Sequence, residues 1–276
     1  MPVKPEAPRK AIVLVGAGRM GTALLRGWLA RRLGPIAVVE PHPSPELKKL
    51  LKSNKITHQA AIEDIDAAKV SICVVAIKPQ VLRSEAARLK AFAESGALIL
   101  SIAAGTSTAS FARACGPKAR IIRAMPNLPG SIGKGISALY ATRKVTAKDR
   151  ASAEGLLAAL GETVWVKQEE MIDTVTAVSG SGPAYVFLLV EALAAAAEKE
   201  GLPRPLALKL ARATITGAGA LLESTQDAAE KLRRDVTSPG GTTEAALGVL
   251  MAEDALSVLM ARTVAAAVKR AHELSA

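Results

Sequence analysis

The feature that most constrains this chain is the hexapeptide Gly16-Ala17-Gly18-Arg19-Met20-Gly21, set between a short apolar run and an amphipathic stretch. Glycines at this spacing have distinct tasks. Gly16 makes the tight turn out of a strand, Gly18 lets backbone approach a pyrophosphate, and Gly21 lets the following helix pack closely on the strand. The helix start then presents free N–H groups and a positive dipole end to the phosphates. Such glycines also build ordinary turns. The strand before them and the helix after them are what point to a dinucleotide.

The pattern around this loop repeats. Apolar runs at 11–15, 36–40, 70–76, 97–102 and 120–124 alternate with helix-like segments at 19–32, 44–52, 80–92 and 107–115. Strands that are apolar throughout and separated by helices predict a parallel sheet covered on both faces. Two further strand-like runs, 136–141 and 163–166, flank a helix at 147–160 and extend the same sheet. Beyond Val166 the pattern changes to successive helices at 182–199, 203–224, 228–236, 243–251 and 255–272. The expected fold is α/β followed by all-α, a Rossmann-type doubly wound sheet with a C-terminal helical dimerisation domain. The expected boundaries are a disordered extension over 1–10, a dinucleotide-binding domain over 11–167, and a helical substrate-binding domain over 168–276.

Composition supports this plan. Half of the 276 residues are apolar but only 3 % are aromatic, a mixture suited to Ala-rich helices and buried aliphatic strands. Several late helices carry small or apolar residues around most of their circumference, which predicts packing between subunits. The formal charge of +11 raises nucleic acid as a partner. The basic residues are dispersed, as Arg31-Arg32, Lys48-Lys49 and Arg233-Arg234, without interleaved aromatics, which favours a solvated surface instead. Cys73 and Cys115 offer no disulfide framework and fit a reducing, cytoplasmic setting. The run 11–15 is too short for a signal-peptide core. The later run 184–197 contains Glu191 and falls short of the roughly 20 residues that span a bilayer. The three histidines, His42, His58 and His272, show no metal-ligand spacing.

Three side chains and one loop carry further chemistry. Glu40 closes the second strand, where an acidic residue bonds ribose hydroxyls and repels a 2′-phosphate, so it leans to NADH. His42 and Lys48 nearby leave room for NADPH. In Ser238-Pro239-Gly240-Gly241-Thr242-Thr243, two glycines before a helix start form an anion-binding concavity, or a plain N-cap.

Together with Arg123-Ala124-Met125-Pro126-Asn127 and Ser179-Gly180-Ser181-Gly182-Pro183-Ala184-Tyr185, that loop resembles the pyrroline-5-carboxylate reductases. Ile77-Lys78-Pro79 and Ser101-Ile102-Ala103-Ala104-Gly105 also fit the family. The resemblance runs from about Ala11 to the C-terminus. It implies NAD(P)H-dependent reduction of a cyclic imine to L-proline by a homodimer or a higher oligomer. In such enzymes the active site lies where one subunit's cofactor domain meets its partner's helices. It further implies that the loop's backbone amides and Ser238 hold the substrate carboxylate and that Thr243 orients the imine nitrogen. Glu169 matches a position that approaches substrate. Ala76, Ile77, Lys78, Pro79, Ala103 and Ala104 line the nicotinamide side. Glu40 departs from the small polar residue common in relatives. A β-hydroxyacid dehydrogenase or another imine reductase is the nearest rival, but the segment after Gly182 lacks the lysine that the dehydrogenases need.

Overall fold

A computed structural model describes residues 10–54 and 56–275. The expected disorder over 1–10 therefore lies outside the described residues, apart from the exposed Lys10. Contacts divide the chain into two compact units, one of residues up to 180 together with 268 onward, the other of residues 181–267.

The first unit is built on one eight-stranded sheet: β1 (Ala11–Val15), β2 (Ile36–Val39), β3 (Thr57–Gln59), β4 (Val70–Val75), β5 (Leu98–Ser101), β6 (Arg120–Met125), β7 (Gly135–Ala141) and β8 (Gly161–Trp165). Their order across the sheet is β3-β2-β1-β4-β5-β6-β7-β8. All neighbours are parallel except β6 and β7, which run antiparallel. Helices α1 (Arg19–Ala30), α2 (Pro45–Asn54), α3 (Pro79–Glu85), α4 (Lys90–Glu94), α5 (Thr108–Cys115) and α6 (Ala147–Leu157) connect the strands.

Strand periodicity sorts the apolar side chains into two cores. Leu14, Val38, Val74, Leu100 and Ile122 pack with Leu24, Leu25 and Trp28 of α1 and with Leu156 and Leu157 of α6. Their alternating neighbours Val13, Val39, Cys73, Ile99 and Ile121 pack with Leu82, Phe92 and Phe111 on the other face. Burying an indole requires a partner for its N–H, and Trp28 Nε1 donates to the Leu156 carbonyl at 2.9 Å. This ties α1 to α6.

The strands and helices fall close to their expected positions, with three differences. β3 was not expected, because it is short and polar, as an exposed sheet edge permits. A helix also precedes the expected one at 182: α7 (Met171–Val175) continues through a π-helical turn, Thr176–Gly180, into α8 (Gly182–Lys199). The compact division falls after Gly180, later than the expected 167/168 boundary. In the segment before it, Arg123 of β6, 4 % exposed, bonds Glu169 at 3.2 Å and Asp173 at 3.3 Å. Those carboxylates tie the start of the helical segment to the sheet.

The second unit contains α8, α9 (Arg204–Ser224), α10 (Ala229–Asp235), α11 (Thr242–Leu250) and the first part of α12 (Leu256–Ser275). Its buried core consists of Ala194, Ala207 and Ala211, where α8 and α9 approach through alanines. Phe187, Leu188, Leu189, Leu210, Leu221 and Leu259 stand exposed. The continuous stretch Met171–Lys199 is long and apolar enough to cross a membrane by length and composition. This corrects the expectation drawn from 184–197 alone, which did not foresee that α7 and α8 join. Asp173 near its start is nevertheless buried against Arg123 of the sheet.

At the base of α6, Thr146 and Asp149 form a reciprocal cap and Arg120 grips Asp149 through one guanidinium nitrogen at 2.6 and 2.7 Å. Burial opposes ionisation of Asp149, but the Thr146 N–H and hydroxyl and the Arg120 charge outweigh it. They hold its carboxyl below the ordinary value of 3.8. A depressed folded-state value means that the stabilisation is complete above the unfolded-state value and is lost as pH falls through the folded one. Thermal melts across the acid range should therefore show a shallower loss of stability below about pH 4 for Asp149→Asn than for wild type. Parallel acid limbs for the two proteins would refute this role.

Candidate active site

The cleft expected of a doubly wound sheet lies at the switch in strand order, between β1 and β4. A cavity of about 490 Å³ opens there. It is lined by Gly16 and Gly18 after β1, Glu40 and His42 after β2, and Ala76, Ile77 and Lys78 after β4. Six of the thirteen residues named for the cofactor from sequence meet in this one cleft. Arg19, Met20 and Gly21 form the first turn of α1, whose start has no side-chain cap.

The glycines meet the geometric demands in different ways. Gly16 has φ +89°, and a Cβ there would stand 2.5 Å from Ile77 Cγ2. A Cβ on Gly21 would stand 2.4 Å from the Gly16 carbonyl oxygen, so α1 sits directly on the turn. A Cβ on Gly18 would meet nothing within 4 Å. Its lack of a side chain therefore serves no internal packing. It keeps clear the space that a pyrophosphate needs beside an uncapped helix start, and so the loop fits a dinucleotide.

Glu40 is fixed by the same loop. One carboxylate oxygen accepts the Ala17 N–H at 2.9 Å and the other accepts the His42 N–H at 3.0 Å. A carboxylate so held presents a stationary negative charge where the ribose of a dinucleotide would lie. Ala60, Ala61, Ile62, Val81, Glu85 and Arg88 also line it. Sequence reading missed them because they come from irregular segments and helix flanks that carry no motif.

The remaining expected residues belong to the segments that follow β4 and β5 and to the helical part of the chain. Pro79 begins α3. Ala103 and Ala104 follow β5; Ala103 is packed in the core and Ala104 is exposed, so only the latter offers its side chain to a ligand. Glu169 differs most from expectation. One of its oxygens accepts the Thr108 N–H at 2.7 Å and a bond from Arg123, and the other accepts the Thr108 hydroxyl at 2.5 Å. Its carboxylate is committed within the first unit.

Ser238, Gly240, Gly241, Thr242 and Thr243 lie together at the start of α11 in the second unit. Gly240 adopts φ +70° and its N–H donates to Glu244 Oε2 at 2.7 Å, while the Gly241 N–H donates to the Ser238 carbonyl. Both glycine amides expected to hold a carboxylate thus already have partners. The helix start itself, at Thr242 and Thr243, carries no side-chain cap. Neither thiol competes as a nucleophile. Burial pushes Cys73 well above the ordinary thiol range, and Cys115 to about 11.

Fold and cleft together define a dinucleotide-binding protein of Rossmann type with an appended helical unit. Residues 169–274 match the family model for pyrroline-5-carboxylate reductase dimerisation, and residues 11–105 match that for coenzyme F420-dependent NADP oxidoreductases. A pyrroline-5-carboxylate reductase from Pseudomonas aeruginosa is 36% identical over 96% of each chain. The structure of one from Coxiella burnetii superposes with TM-score 0.90 at 34% identity, covering 97% of this chain and 99% of that one. Another from Plasmodium falciparum, solved with NADP bound, gives TM-score 0.80 at 25% identity over 97% and 98% of the chains. This chain belongs to the pyrroline-5-carboxylate reductase family.

Gly18→Ala should melt within about 2 °C of wild type yet bind NADH at least about tenfold more weakly, because the added methyl occupies only ligand space. Gly21→Ala should lose about 1–3 kcal/mol of stability through the clash with Gly16. Denaturant unfolding and nicotinamide fluorescence titration of both variants check the contrast. Equal loss of stability in the two would contradict it.

Proposed function

We propose that the chain reduces L-1-pyrroline-5-carboxylate to L-proline with NAD(P)H, the last step of proline biosynthesis. The observation that carries the reading is the near-full-length relationship to pyrroline-5-carboxylate reductases, combined with a glycine loop whose open position fits a dinucleotide. The reduced nicotinamide supplies the hydride. A protonated C=N bond accepts hydride readily, so the protein's main task is to hold the ring in place. Positioning of this kind supplies roughly 7–11 kcal/mol of a barrier.

In this reading Gly16 to Gly21 receive the pyrophosphate, Glu40 the adenosine ribose, and Ala76 to Pro79 with Ala104 the nicotinamide side. The substrate carboxylate goes to the uncapped first turn of α11, with Ser238 and Thr242 beside it. Since the Gly240 and Gly241 amides are engaged internally, the N–H groups of Thr242 and Thr243 are the better donors. Thr243 orients the imine nitrogen; an alcohol is too weak an acid to supply the proton itself. The fixed carboxylate of Glu40 favours NADH, although the Plasmodium relative was solved with NADP.

A homodimer completes the assembly. Two observations support it: the match to a dimerisation model over 169–274, and the apolar side chains of α8, α9 and α12 left exposed on a single chain. Contiguous apolar surface of that kind marks protein contacts. Two buried free cysteines suit a cytoplasmic setting.

Initial rates of NADH and NADPH oxidation with pyrroline-5-carboxylate test the activity. The expected result is substrate-dependent turnover with a lower KM for NADH, and Thr243→Ala should lower kcat at least about tenfold with cofactor affinity unchanged. Absence of turnover with both cofactors would refute the substrate assignment. Sedimentation of the wild type should give at least a dimer, and Phe187→Asp combined with Leu189→Asp should shift it toward monomer. A monomeric wild type would refute the assembly.

A further inference from the structure

The loop between β5 and α5 carries Ala103, Ala104 and Gly105, residues with almost no side chain by which to hold a position. Its position is imposed from both ends. At its start the buried Ser101 hydroxyl accepts the Ala103 N–H at 3.2 Å. At its end Thr108, the first residue of α5, gives both its N–H and its hydroxyl to Glu169. Glu169 is held in turn by Arg123, which also bonds Asp173, and Asp173 receives His272 at 3.0 Å. At Gly105, where φ is +65°, a Cβ would stand 3.3 Å from the Leu274 carbonyl oxygen, so the end of α12 lies against the loop.

From this geometry we infer that Glu169 is a positioning residue acting through Thr108, not a substrate ligand. With Arg123 it sets the β5–α5 loop at the place where the nicotinamide end of the cofactor binds. This rests on the reading of the cofactor cleft given above. The chemistry of the pairings supports a directional role. A carboxylate that accepts two bonds from one residue fixes that residue in angle as well as distance. Arg123 then keeps the carboxylate aimed, since a buried guanidinium needs its partners. A displacement of about 1 Å in such a loop is enough to lower turnover on the order of a hundredfold.

The test compares two ligands of the full-length protein. NADH carries the nicotinamide, whereas ADP-ribose fills only the remainder of the dinucleotide site. Thr108→Val removes the hydroxyl donor and keeps the N–H. It should weaken NADH binding about tenfold and leave ADP-ribose within about twofold, with Thr108→Ser restoring NADH affinity. The Thr108→Val variant should also lower kcat without raising KM for pyrroline-5-carboxylate. Should Thr108→Val not fold, Glu169→Gln carries the same comparison, with NADH weakened about threefold and ADP-ribose unchanged. Equal weakening of both ligands, or of neither, would overturn the inference. So would a Glu169→Gln protein that binds NADH normally but has a raised KM for the imine, as a substrate ligand would. If wild type lacks imine turnover while Thr108→Val still shows the NADH and ADP-ribose split, the substrate assignment falls and this inference stands.

Discussion

The approach of α1 to the end of β1 is the constraint on which the cofactor unit depends. With only 2.4 Å between a Gly21 Cβ and the Gly16 carbonyl, the helix has no room to be anywhere but on the turn. That contact aims the uncapped start of α1 at the strand-order switch. It also brings the Ala17 N–H within 2.9 Å of Glu40, so the second strand's terminal carboxylate is set by the first strand's loop. On the helix's far side, Trp28 locks α1 to α6 through a single buried hydrogen bond. The glycine loop of the cleft is thus seated between a packed helix and the sheet.

The helical unit follows the opposite logic. Its internal core is three alanines, and its large aliphatic side chains face outward. Alanine-to-alanine contact lets α8 and α9 approach closely but buries little apolar area, on the order of 25 cal/mol for each Å². A unit of this kind gains most of its burial from a partner. The same outward leucines that satisfy a composition test for a membrane span, over Met171–Lys199, therefore have a second solvent available to them in another protein chain. Membership of a family whose model describes dimerisation of this region favours the second.

Much of this was legible in the sequence because the determinants were local. Apolar runs of four to six residues between amphipathic segments fix β1, β2, β4, β5 and β6 to within a residue or two, since burial on both faces leaves no alternative to a parallel sheet. The glycine loop is similarly self-contained. What escaped was long-range. β3 has only edge contacts and so no apolar pattern. The lining from Ala60 to Ile62 and Arg88 reaches the cleft through chain geometry alone. Contacts divide the chain after Gly180, and the bonds of Arg123 to Glu169 and Asp173 join the segment after Val166 to the sheet. The one local signal for this was an arginine inside the run Ile121-Ile122-Arg123-Ala124-Met125, a charge in a strand that is otherwise buried. Such a charge demands partners, although the sequence does not name them.

That buried charge is not explained by stability alone. Apolar side chains of similar volume at Arg123, Glu169 and Asp173 would commonly give a fold as stable, or more so. Hydrophobic contact is non-directional, however, and the segment it would have to place is Ala103-Ala104-Gly105, which offers two methyl groups and a backbone. Only groups that bond backbone and hydroxyl at fixed angles determine where such a loop lies. Glu169 does this at Thr108, and Ser101 does it at Ala103. A loop of such small residues cannot place itself. The buried ionic cluster behind it is the physical complement: its carboxylate bonds the first residue of α5 at a fixed angle, at the end of a backbone with no side chains of its own to hold it.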